Sequence, residues 1–167
     1  MTPRIPLAAL RDPVILLATG FGAGLLRPAP GTWGTLVGIP LAWVLSLLTL
    51  PIAAALLASL AILGIGLCGA AGRRLGVSDH GGIVWDEIVG LCVALLLLPF
   101  DAVTVVLAFL TFRLFDIVKP WPISWADRSL PGGVGVMVDD LIAGVFAGLA
   151  TYGLREALSR SDLAGFL

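Results

Sequence analysis

The chain has 167 residues, 59% of them hydrophobic and only 13% charged, with a mean hydropathy of +1.06 and a formal net charge of −1. Soluble domains carry about a quarter charged residues, so this composition belongs to an integral membrane protein, and the near-neutral charge gives no argument for nucleic acid. The length allows one domain over residues 1–167.

In chain order, Met1 to Pro13 is a short segment carrying Arg4 and Arg11, without the pattern of a cleaved signal, so the chain is expected to be unprocessed. Val14 to Leu26 is too short for a bilayer crossing, which needs about 20 residues. It reads as a re-entrant or interfacial helix, or one packed inside the bundle. Its GFGAG is a weak phosphate-loop signal and equally a small-residue packing stripe. The prolines and glycine of RPAPGTWG (27–34) break the helix, and Thr32 or Thr35 could cap the next one. Pro28 to Gly72 contains no charged residue, room for two spans with a turn at Thr49-Leu50-Pro51, and Arg73 and Arg74 close the second.

Gly76 to Gly82 is a polar loop holding the single histidine, His80. A third helix is expected from about Ile83 to Leu98, with Asp86 and Glu87 in its first turns, and a fourth from about Ala102 to Val118. Pro120, Pro122 and Pro131 predict an irregular loop. A fifth helix is expected from about Val136 to Arg155, beginning with Asp139 and Asp140. The fold class is all-α: a polytopic membrane bundle of about four to five spans plus the short N-terminal helix. If the spans alternate, Arg4, Arg11, Arg27, Arg73, Arg74, Lys119 and Arg128 share one side, which the positive-inside rule assigns to the cytoplasm.

The chemistry concentrates between Arg113 and Asp140, where Asp116, Asp127, Asp139 and Asp140 interleave with Arg113, Lys119 and Arg128 in an otherwise apolar chain. Charges near the membrane core are costly and usually functional. Together with Asp86 and Glu87 these carboxylates crowd one end of the bundle, and crowded carboxylates repel unless protons or a cation intervene. An all-oxygen donor set favours Mg²⁺ over zinc; helix-end charges paired with the basic residues are the plainer alternative. Arg113, Lys119 and Arg128 suit phosphate oxygens, although cytoplasmic basic residues are expected on topology alone. Gly132 to Gly135 could present backbone N–H groups to an anion or form a plain tight loop. His80 is a candidate acid or base, and otherwise a surface loop residue. The cysteines, Cys68 and Cys92, lie in apolar runs with neither zinc nor disulfide spacing and read as buried hydrophobes. The Cys68-to-Arg74 spacing mimics a cysteine-phosphatase loop, but Cys68 sits in a membrane helix.

Four stretches, PAPGTWGTLVGIPL (28–41), DHGGIVWDEIVG (79–90), FRLFDIVKPWPI (112–123) and GGVGVMVDDLIAG (132–144), resemble the phosphatidylglycerophosphatase A family of bacterial membrane phosphatases. The resemblance runs from about Gly20 to Gly148. It implies an all-helical enzyme of the bacterial cytoplasmic (inner) membrane that removes the terminal phosphate of the phospholipid phosphatidylglycerophosphate with Mg²⁺. It further implies metal-site roles for Asp86, Glu87, Asp139 and Asp140, with Asp116 and Asp79 nearby, and phosphate-loop roles for Thr32 and Thr35. A cytoplasm-facing site follows from the topology. A metal-dependent phosphatidyltransferase is the competing enzyme, but its spaced aspartate signature is missing. A small transporter is the non-enzymatic alternative, but the charges gather at one face and no internal repeat is present.

Overall fold

Helix ends in this chain follow from local chemistry. The computed structural model describes residues 4–78 and 80–164, with side chains to residue 160. Among the described residues are seven α-helices: α1 (Pro13–Ala18), α2 (Pro30–Ser46), α3 (Leu50–Leu75), α4 (Trp85–Leu95), α5 (Ala102–Val118), α6 (Ile123–Ser129) and α7 (Gly132–Ala164). Short 3-10 turns at Leu7–Arg11 and Ala23–Leu25 flank α1, and no strand is present among these residues. Asp12 caps α1 by accepting from Val14 N at 2.9 Å. Asp101 caps α5 by accepting from the Thr104 N–H and hydroxyl, both at 2.9 Å. Gly76, in the left-handed region at φ 71°, stops α3.

Neighbouring contacts fix the direction of each helix. Arg155 of α7 reaches Asp101 at the start of α5, while Phe115 near the end of α5 stacks edge-on to Phe146, so these two helices are antiparallel. The Trp85 indole N–H at the start of α4 donates to Leu60 O in α3, and Gly69, about two and a half turns farther along α3, faces Gly133 at the start of α7. The starts of α2, α4 and α7 and the ends of α3 and α5 therefore share one end of the bundle. The central element is α4, apolar on all sides beyond its first turn and enclosed by α2, α3, α5 and α7. Small residues let it approach closely: a Cβ on Gly90 would press on the Phe112 ring and on Asp140 O at 2.9 Å. The outer faces are apolar as well, with Ile62, Leu63, Leu110, Ile117 and Leu149 exposed.

Among the described residues, two helices are long and apolar enough to cross a membrane, Leu50–Leu75 and Gly132–Arg160. At 17 residues each, α2 and α5 rise about 25 Å, and the 11 residues of α4 about 16 Å, short of a hydrocarbon core of about 30 Å. Four to five full spans are thus not met by length alone. Other expectations shift too. Thr32 and Thr35 lie inside α2 and cap nothing; the cap position is Ala29, with Pro30 as the first helical residue. The glycines Gly132, Gly133 and Gly135 form the first turn of α7, because Gly133 packs against α3 with no room for a side chain. The expected irregular loop contains α6, entered from Pro122. Val14 to Leu26 is a helix of one and a half turns followed by a turn and a 3-10 segment, not a continuous helix.

Candidate active site

Three carboxylates meet where α4 and α7 begin. One oxygen from each of Asp86, Glu87 and Asp140 lies within 4.8 Å of the other two. Asp86 and Glu87 come from the first turn of α4, while Asp140 sits two turns into α7. All three are in or near the interior; Asp140 is 3% exposed and Asp86 8%. The carboxyls of Asp86 and Glu87 lie against each other, as do those of Asp140 and Asp116 of α5. Such carboxyl–carboxyl contacts need a proton or a cation between them.

Arg113 is the cation at the rim of this cluster. Its Nη1 stands 2.5 Å from Asp116 Oδ2 and 3.7 Å from Glu87 Oε1, and it also donates to Thr35 Oγ1 at 3.4 Å. Thr35 is fully buried and donates in turn to Gly31 O at 2.8 Å. Gly31 forms the wall here: a Cβ on it would collide with Glu87 Oε1 and come within 2.9 Å of Arg113 Nη1. Nothing in the sequence singled out Gly31; the only signal was its place after Pro30 at a helix start.

The second basic residue serves a different carboxylate. Lys119 Nζ binds Asp127 at 2.6 Å and Asp139 at 2.5 Å. It ends α5 at φ 45°, a left-handed conformation that costs a lysine about 1–2 kcal/mol. Burial opposes its charge, but the two carboxylates win and hold its ammonium above the ordinary lysine range. Asp139, held by Lys119, is not one of the three clustered carboxylates. Arg128 is exposed on α6 and makes no ion pair to a described residue. Thr32 is half-buried with no side-chain hydrogen bond to a described residue. His80 is buried, accepts at Nδ1 from Gly82 N at 3.1 Å, and lines a separate cleft. Asp79 lies outside the described residues.

The donors present suit a hard cation. Every candidate ligand atom is a carboxylate oxygen. Among the described residues, the buried atoms Glu87 Oε2 and Asp139 Oδ1 make no hydrogen bond, an arrangement native interiors rarely leave uncompensated. Arg113 Nε is likewise buried and unbonded, so part of the guanidinium is available to an anion.

Residues 16–155 match the family pattern of phosphatidylglycerophosphatase A. The chain is similar to phosphatidylglycerophosphatase A of Haemophilus influenzae, at 43% identity over 93% of this chain and 98% of that protein. It is similar to phosphatidylglycerophosphatase A of Escherichia coli, at 41% over 83% of this chain and 81% of that one. A putative phosphatidylinositol-3-phosphatase of Bacteroides thetaiotaomicron is 37% identical over 80% of this chain and 87% of that protein. No solved structure matches. The carboxylate cluster beside an arginine and the match over residues 16–155 lead to one assignment: the chain belongs to the phosphatidylglycerophosphatase A family, and it is an enzyme that hydrolyses a phosphate monoester.

Proposed function

We propose that this enzyme removes the terminal phosphate of phosphatidylglycerophosphate in a Mg²⁺-dependent hydrolysis, yielding phosphatidylglycerol and inorganic phosphate. The observation that carries the reading is the convergence of Asp86, Glu87 and Asp140 beside Arg113, in a chain 43% identical to a phosphatidylglycerophosphatase A. Asp86, Glu87 and Asp140 would hold the metal, with Asp139 adjacent on α7. When bound, Mg²⁺ supplies charge to the phosphoryl oxygens and lowers the pKa of bound water.

The chain's own residues do the rest. Arg113, with Nε uncommitted, offsets charge on the transferring phosphoryl group. Water attacks phosphorus, the bond from phosphorus to the glycerol oxygen breaks, and that oxygen takes a proton. Asp116, beside Asp140 and paired with Arg113, is the group placed to move that proton. Thr35 fixes the Arg113 guanidinium from the α2 side. Lys119 orients Asp139 through their ion pair.

The setting is a multi-pass protein of the bacterial inner membrane, with its site toward the cytoplasm. Its apolar outer faces suit lipid contact. Trp33, Trp121 and Trp125 are exposed at the end holding the carboxylates, and Trp43 lies toward the other end, as interfacial tryptophans do. Arg4, Arg11, Arg27, Arg73 and Arg74 belong to the carboxylate end.

The test is phosphate release by the detergent-purified protein from phosphatidylglycerophosphate and from phosphatidylinositol 3-phosphate, each with Mg²⁺ and with EDTA. Metal-dependent release from the first lipid is expected. Undiminished release in EDTA would remove the metal from the mechanism. Preference for the second lipid would transfer the assignment to the activity named for the Bacteroides relative.

A further inference from the structure

A cleft of about 460 Å³ opens beside the carboxylate site and shares none of its acids. Arg4, Arg27 and His80 line it, with backbone from Gly24 and Gly82 between them. No carboxylate belongs to its described lining. Gly24 makes the wall: a Cβ there would run into the backbone carbonyl of Gly82, so the two segments meet backbone to backbone and leave the space to a ligand. His80 Nδ1 accepts from Gly82 N, which fixes the ring at the cleft wall.

The basic residues divide into two groups. Arg113 and Lys119 are ion-paired with the carboxylates of the site. Arg4 and Arg27 make no ion pair to a described residue. The cleft also abuts the site directly. Pro30 lines it, and the next residue, Gly31, is the wall against Glu87 and Arg113. A cation-lined cleft and a carboxylate cluster thus stand side by side, separated by one residue of α2.

We infer that the Arg4–Arg27–His80 cleft binds the phosphodiester of the lipid substrate while its terminal phosphate monoester lies at the Asp86–Glu87–Asp140 cluster. The inference rests on the substrate reading above and adds a determinant of choice. That substrate carries two phosphates joined by a glycerol bridge, and two adjoining sites of opposite character hold them apart. A phosphate diester keeps a negative charge without ever needing a metal, so the two arginines suffice for it. A lipid with a monoester alone, such as phosphatidic acid, leaves the cleft unused.

The experiment compares the full-length detergent-purified protein with Arg27→Gln, Arg4→Gln and the double variant. It measures kcat/KM on phosphatidylglycerophosphate and on phosphatidic acid of the same acyl chains. Each single variant should lower the ratio of the two values by about tenfold, the worth of one charge-assisted hydrogen bond. An unchanged ratio, including equal losses on both lipids, would overturn the inference, since the arginines would then only attract an anionic surface. A second readout needs no variant. Phenylglyoxal labels exposed arginines, and peptide mass spectrometry locates the label. Short-chain phosphatidylglycerol, the product retaining only the diester, should protect Arg27, whereas inorganic phosphate should not. Protection by inorganic phosphate alone, or by neither, would overturn it. If the wild type released no phosphate from phosphatidylglycerophosphate, the activity reading would fall, and the protection result would decide the cleft by itself.

Discussion

Lys119 Nζ lies 2.5 Å from Oδ2 of Asp139, whose side chain is only 4% exposed. Removing one partner of a buried pair costs about 3–5 kcal/mol, because the other charge is left uncompensated. Lys119 is itself 28% exposed and shares its charge with the half-exposed Asp127, so solvent reduces that figure. Lys119→Gly is expected to relax the left-handed backbone yet still lose roughly 2 kcal/mol. The double variant Lys119→Gly, Asp139→Asn is expected to recover most of that loss. Thermal unfolding in detergent checks both; wild-type stability in the single variant would show that the pair is not a structural tie.

Asp140→Asn is expected to separate stability from activity. Crowded carboxylates repel one another in the absence of a cation, and a neutral amide at residue 140 removes part of that repulsion while keeping the side chain's shape. The variant should therefore melt at or above the wild-type temperature in EDTA while phosphate release falls by at least about a hundredfold. A variant that unfolds, or one that keeps its activity, would remove Asp140 from the site.

Metal addition supplies a binding test that does not depend on turnover. A cation bound only by the folded state stabilises it by about 2.7 kcal/mol at a hundred times its Kd. Mg²⁺ titration should raise the melting temperature of the wild type and leave Glu87→Gln nearly flat. Equal rises in both proteins would point to nonspecific ion effects.

Gly31→Ala should close the site without disturbing the rest of α2. The added methyl group meets Glu87 Oε1 and the Arg113 guanidinium. Activity should drop by at least about tenfold, while the melting temperature shifts little because both contacts are ends of flexible side chains. Full activity would mean that Arg113 moves freely and is not a fixed element of the site.

At the far end, Asp101, Thr104 and Arg155 clip α5 to α7. The Thr104 N–H, more than any other contact, holds the Asp101 carboxyl below its ordinary range. A depressed carboxyl contributes stability that is full above the ordinary value, about 4, and is lost as pH falls through the lowered one. The melting temperature of Asp101→Asn should therefore lie below wild type at pH 7 and converge with it in strong acid. A gap that persists unchanged at low pH would assign the effect to packing.

Much of this arrangement was legible from the chain, for local reasons. The boundaries of α5 follow from a turn ending in Asp101 and a stop at Lys119 before Pro120. The start of α7 was not legible, since Gly132 and Gly133 read as loop until the α3 backbone against which Gly133 packs is known. Within the site, Asp139 and Asp140 look equivalent in sequence. Successive helical residues point about 100° apart, so only one of them can face Asp86 and Glu87 of α4; Asp140 does, and Asp139 faces Lys119. That choice depends on the rotation of α7 about its axis, which is set by packing on α4 and not by the acidic pair itself. The Arg4–Arg27–His80 cleft joins residues from three loops, none of which carries a signal for the others.

Asp140 stands eight residues beyond Gly132, which places it about 12 Å along α7 from the helix start. Since Asp86 and Glu87 lie in the first turn of α4, the first turns of α7 extend past the start of α4 and carry the glycine contact with α3, so a variant that loosens that contact should move Asp140 relative to the other two acids.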